Sequence, residues 1–540
     1  MSIEPETESS YNAALTIADH LSQILPRLLE DETSALSTWP ADVFAVAASL
    51  LQRTGAYAPA MDHWPPDGQE SNWQDEVRKV GKQWRQQWKQ GSFGYLEAPW
   101  RVLLDRRTLA LDEVSCDTEL LQALVQLCAV ADESCNSLGI HEKDTTAAEA
   151  ASEEEKEFDF QADSLLDEAS SLCYEIHPSR LRVLPKMHTP QSGLTIRSFS
   201  LNLALVTTSE ITPQWLNYPS LFGKRTLKIL FIPWPRRVDP EDFCPAPHLA
   251  HEMRNMPSEF GFFEYAPLNP EDPIAYVGDL LKRVNDSGIN VDAVLLPELA
   301  LTHDEFEELR NLVVEEQYKV LIAGVRTPHT ETVRCKNEAR LAIPYFDVLA
   351  QAKHHRWKLD RRQIEQYELT GLDANKKWWE HIDLSSREFM FVALGKGRVI
   401  SVLVCEDLAR PDPVGDLIRA VAPNLVIALL MDGPQLKARW PARYAASLAN
   451  DPGSSVLSVT SIGMSLRSKP RDPKMARSRV VGLWHSSDGD FRELELPEGS
   501  EALIITLDRS YETEWTADGR SDNSNAGMIR LKSSAAFPSA

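Results

Sequence analysis

Apolar residues recur at helical spacing over the first 140 residues of the chain. Successive apolar side chains lie three or four positions apart there, and proline and glycine separate one segment from the next. The pattern predicts helices over 11–30, 41–53, 73–90 and 118–135. These segments contain no nucleophile–base pair and no phosphate-binding loop. We therefore predict an N-terminal all-helical domain, residues 1–140, that either docks or regulates a protein partner or only embellishes the fold.

The pattern changes at about residue 227, where short apolar runs begin to alternate with amphipathic segments. Such alternation is typical of an α/β domain with buried, largely parallel strands. Predicted strands are 227–233, 291–296, 318–324, 389–394, 399–404, 425–430, 456–460, 480–485, 491–496 and 501–507. Predicted helices are 272–284, 303–316, 413–421 and 440–449. We assign residues 226–510 to this α/β domain.

Two segments lie outside these domains. Residues 141–225 begin with small and acidic residues, which indicate a solvated linker or an exposed helix. A basic, β-prone stretch follows at 180–197, where a hairpin or interdomain strand is favoured over a site for a phosphate-bearing partner. Residues 511–540 are polar and are predicted to form a flexible tail.

Composition limits the function classes. A chain of 540 residues exceeds the ~250–300 at which a single core stops growing, so we expect at least two domains. The formal charge of −24 makes direct nucleic-acid binding unlikely, because phosphate neutralisation needs clustered basic residues. We find no signal peptide and no apolar run that could span a membrane. The seven cysteines are odd in number and widely spaced, so we expect a cytoplasmic protein without disulfides.

Three residues with complementary chemistry follow predicted strands. Glu298 ends the run that starts at residue 291, Lys353 follows a β-prone stretch, and Cys405 directly follows the strand 399–404. Open α/β sheets place their ligands at such strand ends. A thiol nucleophile needs a base, and an acyl-transfer intermediate needs a cation or donor at its oxyanion. Any one of these residues alone has an ordinary structural explanation, whereas the three in this order indicate catalysis.

The order glutamate, lysine, cysteine resembles the carbon–nitrogen hydrolase (nitrilase) superfamily, over about residues 227–508. The resemblance rests on Pro297-Glu298, on Lys353 with its two following histidines, and on Cys405 with Asp407 two residues later. It implies a four-layer αββα sandwich that forms a homo-oligomer. It also implies a small-molecule amide or nitrile substrate, with no metal and no organic cofactor.

The resemblance assigns a role to each matching residue. Cys405 would be the nucleophile, Glu298 the general base and Lys353 the cation at the oxyanion, with the backbone N–H of Glu406 as a second donor. The basic sequence around Lys353 favours an anionic substrate, or makes Lys358 the relevant amine instead.

Three further assignments are extensions of this resemblance. Family members often carry a second active-site glutamate after the lysine, for which Glu365 and Glu368 are the nearest candidates. His355 and Trp440 are candidates for substrate binding.

Two alternatives to a hydrolase stay open. The N-terminal helices and the Lys-His-His-Arg-Trp sequence resemble the nitrilase-like modules linked to bacterial antiphage reverse transcriptases, which implies a role in phage defence. Because the chain has no Tyr-x-Asp-Asp polymerase motif, such a polymerase would be a separate partner. The chain would then be a non-catalytic nitrilase-like scaffold or effector, or a glutaminase module that passes ammonia to a partner.

Overall fold

The computed structural model describes most of the chain. The described residues are 14–29, 35–66, 73–90, 94–140, 151–207, 210–218, 226–246, 256–328, 335–395, 397–470, 472–523 and 526–539. Their helices are Ile17–Ile24, Pro40–Thr54, Tyr57–Asp62, Trp73–Gln86, Gly94–Asp105, Thr118–Ser134, Glu153–Ala169, Pro273–Asp286, His303–Glu315, Arg361–Tyr367, Gly415–Val421, Trp440–Asn450 and Ile462–Arg467.

The strands are numbered in chain order. They are β1 Arg182–Pro185, β2 Leu203–Val206, β3 Thr212–Asn217, β4 Thr226–Phe231, β5 Phe243–Pro245, β6 Phe260–Tyr265, β7 Ala293–Leu295, β8 Leu301–Thr302, β9 Val320–Thr327, β10 Lys336–Ala342, β11 Leu349–Ala352, β12 Lys358–Leu359, β13 Lys377–Glu380, β14 Glu388–Ala393, β15 Val399–Val404, β16 Leu425–Leu430, β17 Ser455–Thr460, β18 Val480–His485, β19 Phe491–Glu495, β20 Ser500–Glu512 and β21 Ala526–Pro538.

Two large mixed sheets dominate the structure. One has the order β11-β10-β9-β7-β4-β20-β21, with β8 beside β9, and the other has the order β19-β18-β17-β16-β15-β14-β3. The central strands β4, β7 and β9 are parallel, as are β15, β16 and β17. A smaller sheet, β12-β13-β6-β5, and the β1–β2 hairpin complete the strands. The predicted α/β class is confirmed, and the order of the four layers stays a prediction.

The alternation of side chains along β4 shows how the first sheet is covered. Ile229 and Phe231 enter the large core that also contains residues of β14 to β17. Leu230 enters a second core with Val277 and Leu309 of the helices Pro273–Asp286 and His303–Glu315. Because successive strand residues point to opposite faces, the sheet is packed on both sides. This explains the continuous apolar runs of its central strands.

The helical region packs directly on the sheets, since its apolar residues belong to the same buried core. The fully buried Arg520, between β20 and β21, binds Asp132 at 2.9 Å and Glu133 at 3.0 Å in the helix Thr118–Ser134. Trp215 of β3 donates its indole N–H to the carbonyl of Gly139 at 3.0 Å. The predicted helices in this region are found, with Tyr57–Asp62 and Gly94–Asp105 in addition. Residues 11–13 and 30 of the first predicted helix lie outside the described residues.

The prediction of a flexible tail at 511–540 is wrong for the described residues of that segment. β21 pairs with β20 along almost its whole length, and β20 itself continues to Glu512. In the described part of the proposed connector 141–225, the helix Glu153–Ala169 confirms the exposed-helix alternative. β1 lies in the basic stretch 180–197 but pairs with β2, which lies beyond that stretch, and β3 joins the second large sheet. Across the described residues, the helices are all too short or too polar to cross a membrane.

Candidate active site

Cys405 lies at an abrupt bend between a strand and a turn. It directly follows β15 and is the first residue of a 3₁₀ turn, Cys405–Ala409, with a φ of 48°. A positive φ is uncommon for a residue with a Cβ and is found where surrounding structure enforces it, often at functional sites. The side chain is buried, at 1% exposure. A buried thiol at an enforced bend fits a positioned nucleophile.

Glu298 is held by a tight turn after β7. The turn packs against β9 so closely that a Cβ on Gly324 would lie 2.4 Å from the Glu298 Cα. The backbone N–H of Gly324 donates to the carbonyl of Pro297 at 3.0 Å. Glu298 also accepts a hydrogen bond from the backbone N–H of Met431, after β16. The backbone of Glu298 is thus held by β9 of its own sheet, and its carboxylate accepts a hydrogen bond from the end of β16 in the other large sheet.

Lys353 lies between two buried carboxylates. Its Nζ donates to Glu298 Oε1 at 2.8 Å and to Glu380 Oε2 at 2.6 Å. The lysine and both glutamates are almost fully buried. Lys358, the alternative amine, is exposed on β12, so Lys353 is the lysine that meets Glu298.

The second carboxylate that meets Lys353 is Glu380, and the structure brings neither of the expected candidates, Glu365 and Glu368, to the lysine. Glu380 ends β13, 27 residues after Lys353. Glu365 lies in the short helix Arg361–Tyr367, whereas Glu368 follows that helix and pairs with Arg477 at 2.5 Å. Proximity in the chain was misleading because the helix and β12 intervene between the lysine and the acid. The sequence feature that could have indicated Glu380 is the β-prone run Trp378-Trp379-Glu380, which ends in an acid.

Asn337 of β10 links the two acids. Its Nδ2 donates to Glu298 Oε1 and to Glu380 Oε1, both at 2.7 Å. The sequence alone gave no indication of this residue. Its side chain, with the ammonium of Lys353, holds the two carboxylates in one network.

Asp407 connects the loop after the nucleophile to the loop after the lysine. The backbone N–H of His354 donates to Asp407 Oδ2 at 3.0 Å, and His355 Nδ1 lies 2.8 Å from Asp407 Oδ1. Burial favours a raised pKa for Asp407, but the hydrogen bonds and charges of the two histidines outweigh it and lower the pKa. His355 was expected to bind substrate, and its ring instead pairs with Asp407. Because Asp407 follows Cys405 and the histidines follow Lys353, these bonds hold the two loops together.

The remaining candidates keep their predicted roles untested. Trp440 begins the helix Trp440–Asn450 and contacts Tyr444 edge-on, with ring centroids 6.1 Å apart. The carboxylate of Glu406 pairs with Arg410 at 2.5 Å, which leaves the predicted role of its backbone N–H unaffected.

The electrostatics of the site favour a neutral thiol beside a charged lysine. Burial raises the pKa of Cys405 well above its ordinary value, and Glu298 adds to this rise while Lys353 opposes it. Burial also raises the pKa of Glu298, against the effect of Lys353. Burial alone would lower the pKa of Lys353, but Glu298 and Glu380 outweigh it and raise the pKa well above its ordinary value. Burial thus favours the protonated forms of both Cys405 and Glu298, next to a charged Lys353.

Replacing Gly324 by alanine tests whether the turn at Glu298 is as tight as its geometry indicates. The new Cβ would lie 2.4 Å from the Pro297 oxygen and the Glu298 Cα, and backbone atoms cannot move aside cheaply. We expect a loss of about 1–3 kcal/mol in the free energy of unfolding, with reduced catalytic activity. Denaturant unfolding and rate measurements check this.

Gly278→Ala is the matched control. Its Cβ would meet Leu312 Cδ1 at 3.4 Å, an ordinary contact, and alanine favours a helix over glycine by about 1 kcal/mol. If the Gly324→Ala protein were as stable and as active as the Gly278→Ala protein, the turn at Glu298 would not be as tight as described.

No family model matches the chain, and no curated protein sequence matches it. Among solved structures, it is similar to Saccharomyces cerevisiae Nit3, a member of branch 10 of the nitrilase superfamily, with 12% identity and a TM-score of 0.34 over 53% of this chain and 91% of that chain. A carbon–nitrogen hydrolase from Helicobacter pylori G27 matches with 12% identity and a TM-score of 0.30 over 52% of this chain and 89% of that chain. XC1258 from Xanthomonas campestris, a CN-hydrolase superfamily protein with an arsenic adduct in its active site, matches with 14% identity and a TM-score of 0.30 over 59% of this chain and 91% of that chain. These three solved structures are of nitrilase or carbon–nitrogen hydrolase superfamily proteins.

Proposed function

We propose that the protein hydrolyses a non-peptide carbon–nitrogen bond, in an amide or a nitrile, through an acyl-enzyme on Cys405. The observation that carries this proposal is the buried network in which Lys353 joins Glu298 and Glu380, with charges that act on the Cys405 thiol. Burying three ionisable groups is costly unless they are paired, and a purely structural role seldom needs an adjacent thiol. The arrangement supplies a nucleophile, a base and a cation within one enclosed site.

For an amide, the first half-reaction forms a thioester. The Sγ of Cys405 attacks the carbonyl carbon while Glu298 accepts the thiol proton. Lys353, held as an ammonium, stabilises the negative charge that develops on the carbonyl oxygen. The carbon–nitrogen bond then breaks, and the proton passes from Glu298 to the departing nitrogen. Ammonia or an amine leaves, and the acyl group stays on sulfur.

The second half-reaction restores the enzyme. Glu298 accepts a proton from a water molecule as that water attacks the thioester carbon. The carbon–sulfur bond breaks, the proton returns to the Cys405 sulfur, and a carboxylic acid leaves. In this scheme Glu380 positions Lys353 and keeps it charged.

The surroundings of the two acids support a small substrate. Met431 and Trp357, whose backbone N–H groups bind Glu298 and Glu380, belong to one buried apolar cluster with Leu299. An acyl group that displaces these side chains would be compact and largely apolar. His355 pairs with Asp407 and Arg356 donates to the carbonyl of Glu380, so part of the basic sequence after Lys353 has partners in the fold.

We place the enzyme in the cytoplasm as part of the same proposal. None of the seven cysteines, all of which the structure describes, forms a disulfide, and a nucleophilic thiol persists best in a reducing compartment. A protein partner on the helical region, a homo-oligomer and a role in phage defence stay further proposals.

The test is mass spectrometry of the intact protein, followed by peptide mapping, after incubation with a panel of amides, nitriles and N-carbamoyl compounds. We expect an acyl adduct on Cys405 and product release. A chloroacetamide should modify Cys405 at least about tenfold faster than the buried Cys128, Cys135 and Cys173, because Cys405 lies beside the proposed base Glu298 and the cation Lys353, whereas the charges near Cys128 belong to the ion pairs of Arg520. Equal reactivity at these four thiols, with no turnover in a folded sample, would overturn the proposal in favour of a scaffold.

A further inference from the structure

The small sheet β12-β13-β6-β5 has two chemically different faces. Strand β13 pairs in parallel with β6, Glu380 opposite Phe263, and the backbone N–H of His381 donates to the carbonyl of Phe263 at 2.8 Å. Neighbouring strand residues point to opposite faces. Since Glu380 points to Lys353, His381 lies on the other face, where the next register position is Glu264.

A third residue joins this face from outside the sheet. Cys335 immediately precedes β10, and its carbonyl accepts a hydrogen bond from the backbone N–H of Asp383, two residues after His381, at 2.8 Å. The Cys335 Sγ lies 3.9 Å from Glu264 Oε2. One ligand atom from each of Glu264, Cys335 and His381 lies within 4.8 Å of the other two.

We propose that Glu264, Cys335 and His381 form a binding site for a divalent transition-metal ion of the zinc type. Thiolate, imidazole and carboxylate are together a donor set that suits Zn²⁺. With metal–ligand bonds of about 2.0–2.3 Å, tetrahedral coordination sets ligand atoms about 3.3–3.7 Å apart. The 3.9 Å between sulfur and carboxylate is already close to this spacing, and the remaining contraction is within side-chain rotation.

The surroundings leave room for a fourth ligand. A cavity of about 120 Å³ is lined by all three residues and by Thr302, Arg326 and Trp357. This volume holds several water molecules or one small ligand. Three protein ligands with an open fourth position are the arrangement of a zinc site that can exchange its solvent ligand.

A metal at this site would also affect Glu380, the residue proposed to position Lys353. Glu380 lines the same cavity and directly precedes His381 in the chain. A metal bound to His381, and through Glu264 to β6, would fix the end of β13 and so the position of Glu380 against Lys353. The sequence gave no indication of this site, because its three ligands are scattered over more than 100 residues and form no recognisable spacing.

The test uses the full-length protein after chelator treatment and dialysis. We expect Zn²⁺ to bind at one ion per chain in competition with a chromophoric chelator. Co²⁺ in its place should give thiolate charge-transfer absorption in the near ultraviolet. Cys335→Ser and His381→Ala should each weaken Zn²⁺ binding by about 100-fold or more, with loss of the cobalt band in Cys335→Ser. Cys116→Ser, at an exposed thiol in the helical region, should leave both unchanged.

Two results would overturn the proposal. The first is a folded wild-type protein that binds Co²⁺ without a thiolate band, or binds no ion. The second is Zn²⁺ binding that Cys116→Ser weakens and Cys335→Ser does not. Glu264→Gln, at a partly exposed position, serves if the substitutions in the buried residues prevent folding, because retained wild-type affinity there would also count against the site.

Discussion

Replacing Cys405 by alanine is expected to lower kcat/KM for hydrolysis of the amide or nitrile substrate by about 10⁴-fold or more. Without the sulfur no thioester forms, and direct attack by water has to cross the full barrier. The substitution keeps the Cβ, so the positive φ at this position costs no more than it does in the wild type. The rate should fall while the unfolding transition changes little. Steady-state kinetics, with denaturant unfolding of both proteins, measure the two effects.

Cys128→Ala is the control for this experiment. Cys128 is also a buried free cysteine, in the helix Thr118–Ser134, and burial raises its pKa well above the ordinary value. Its removal takes the same atom from a buried position where the nearby charges, Asp132 and Arg520, are paired with each other in the fold and have no role in the proposed mechanism. We expect unchanged turnover. If Cys405→Ala hydrolyses the substrate within about threefold of the Cys128→Ala rate, the acyl-enzyme mechanism is wrong.

Replacing Glu298 by glutamine is expected to lower kcat/KM by about 10²–10⁴-fold, the usual contribution of a general base. Glutamine keeps the shape of the side chain but cannot take the thiol proton. In either orientation its NH₂ group faces a donor, Met431 on one side or Lys353 and Asn337 on the other, so the network loses an acceptor. Rate measurements with the substrate, and with a chloroacetamide at Cys405, should show the loss in both reactions.

The pH dependence gives this variant a second signature. Burial raises the pKa of Glu298, so the base is protonated and inactive at a pH where an ordinary glutamate, with a pKa of about 4.3, would be active. The wild-type rate should therefore rise with pH along an acid limb placed above that value. Glu298→Gln should lack the limb, and Glu368→Gln, at the surface-side glutamate paired with Arg477, should retain both the limb and the rate. A Glu298→Gln profile with an unchanged acid limb would remove Glu298 from the mechanism.

Strands in which every side chain is buried could be predicted accurately from the sequence. The strands 399–404, 425–430 and 480–485 agree with β15, β16 and β18 to the residue, because every side chain in them is buried. β10 was missed because polar residues interrupt its pattern, and one of them, Asn337, serves the candidate site. β21 was missed because an edge strand needs little apolar content, and its Ser-Ser-Ala-Ala sequence reads as a tail.

The candidate site was predictable to the extent that its residues end predicted strands. Glu298 and Cys405 do so, and the structure brings both of them close to Lys353. Glu380 was missed because it lies 27 residues after Lys353 in the sequence, beyond the candidates considered. Between the two residues the chain forms β12, a short helix and β13 before it comes back to the lysine. A carboxylate that becomes catalytic only through a long-range contact has no local sequence pattern of its own.

The ion pairs of the buried Arg520 limit which segments of this sequence can be exchanged during evolution. Its partners in the helix Thr118–Ser134 belong to the first quarter of the sequence, whereas the arginine lies in the last tenth. Replacing this helix would remove two of the three carboxylates that pair with Arg520 and leave only Asp518, and breaking a buried ion pair costs about 3–5 kcal/mol. Recombination that replaced the helical segment alone would therefore yield a poorly stable hybrid. The two ends of the chain are expected to be inherited together, as one unit of descent.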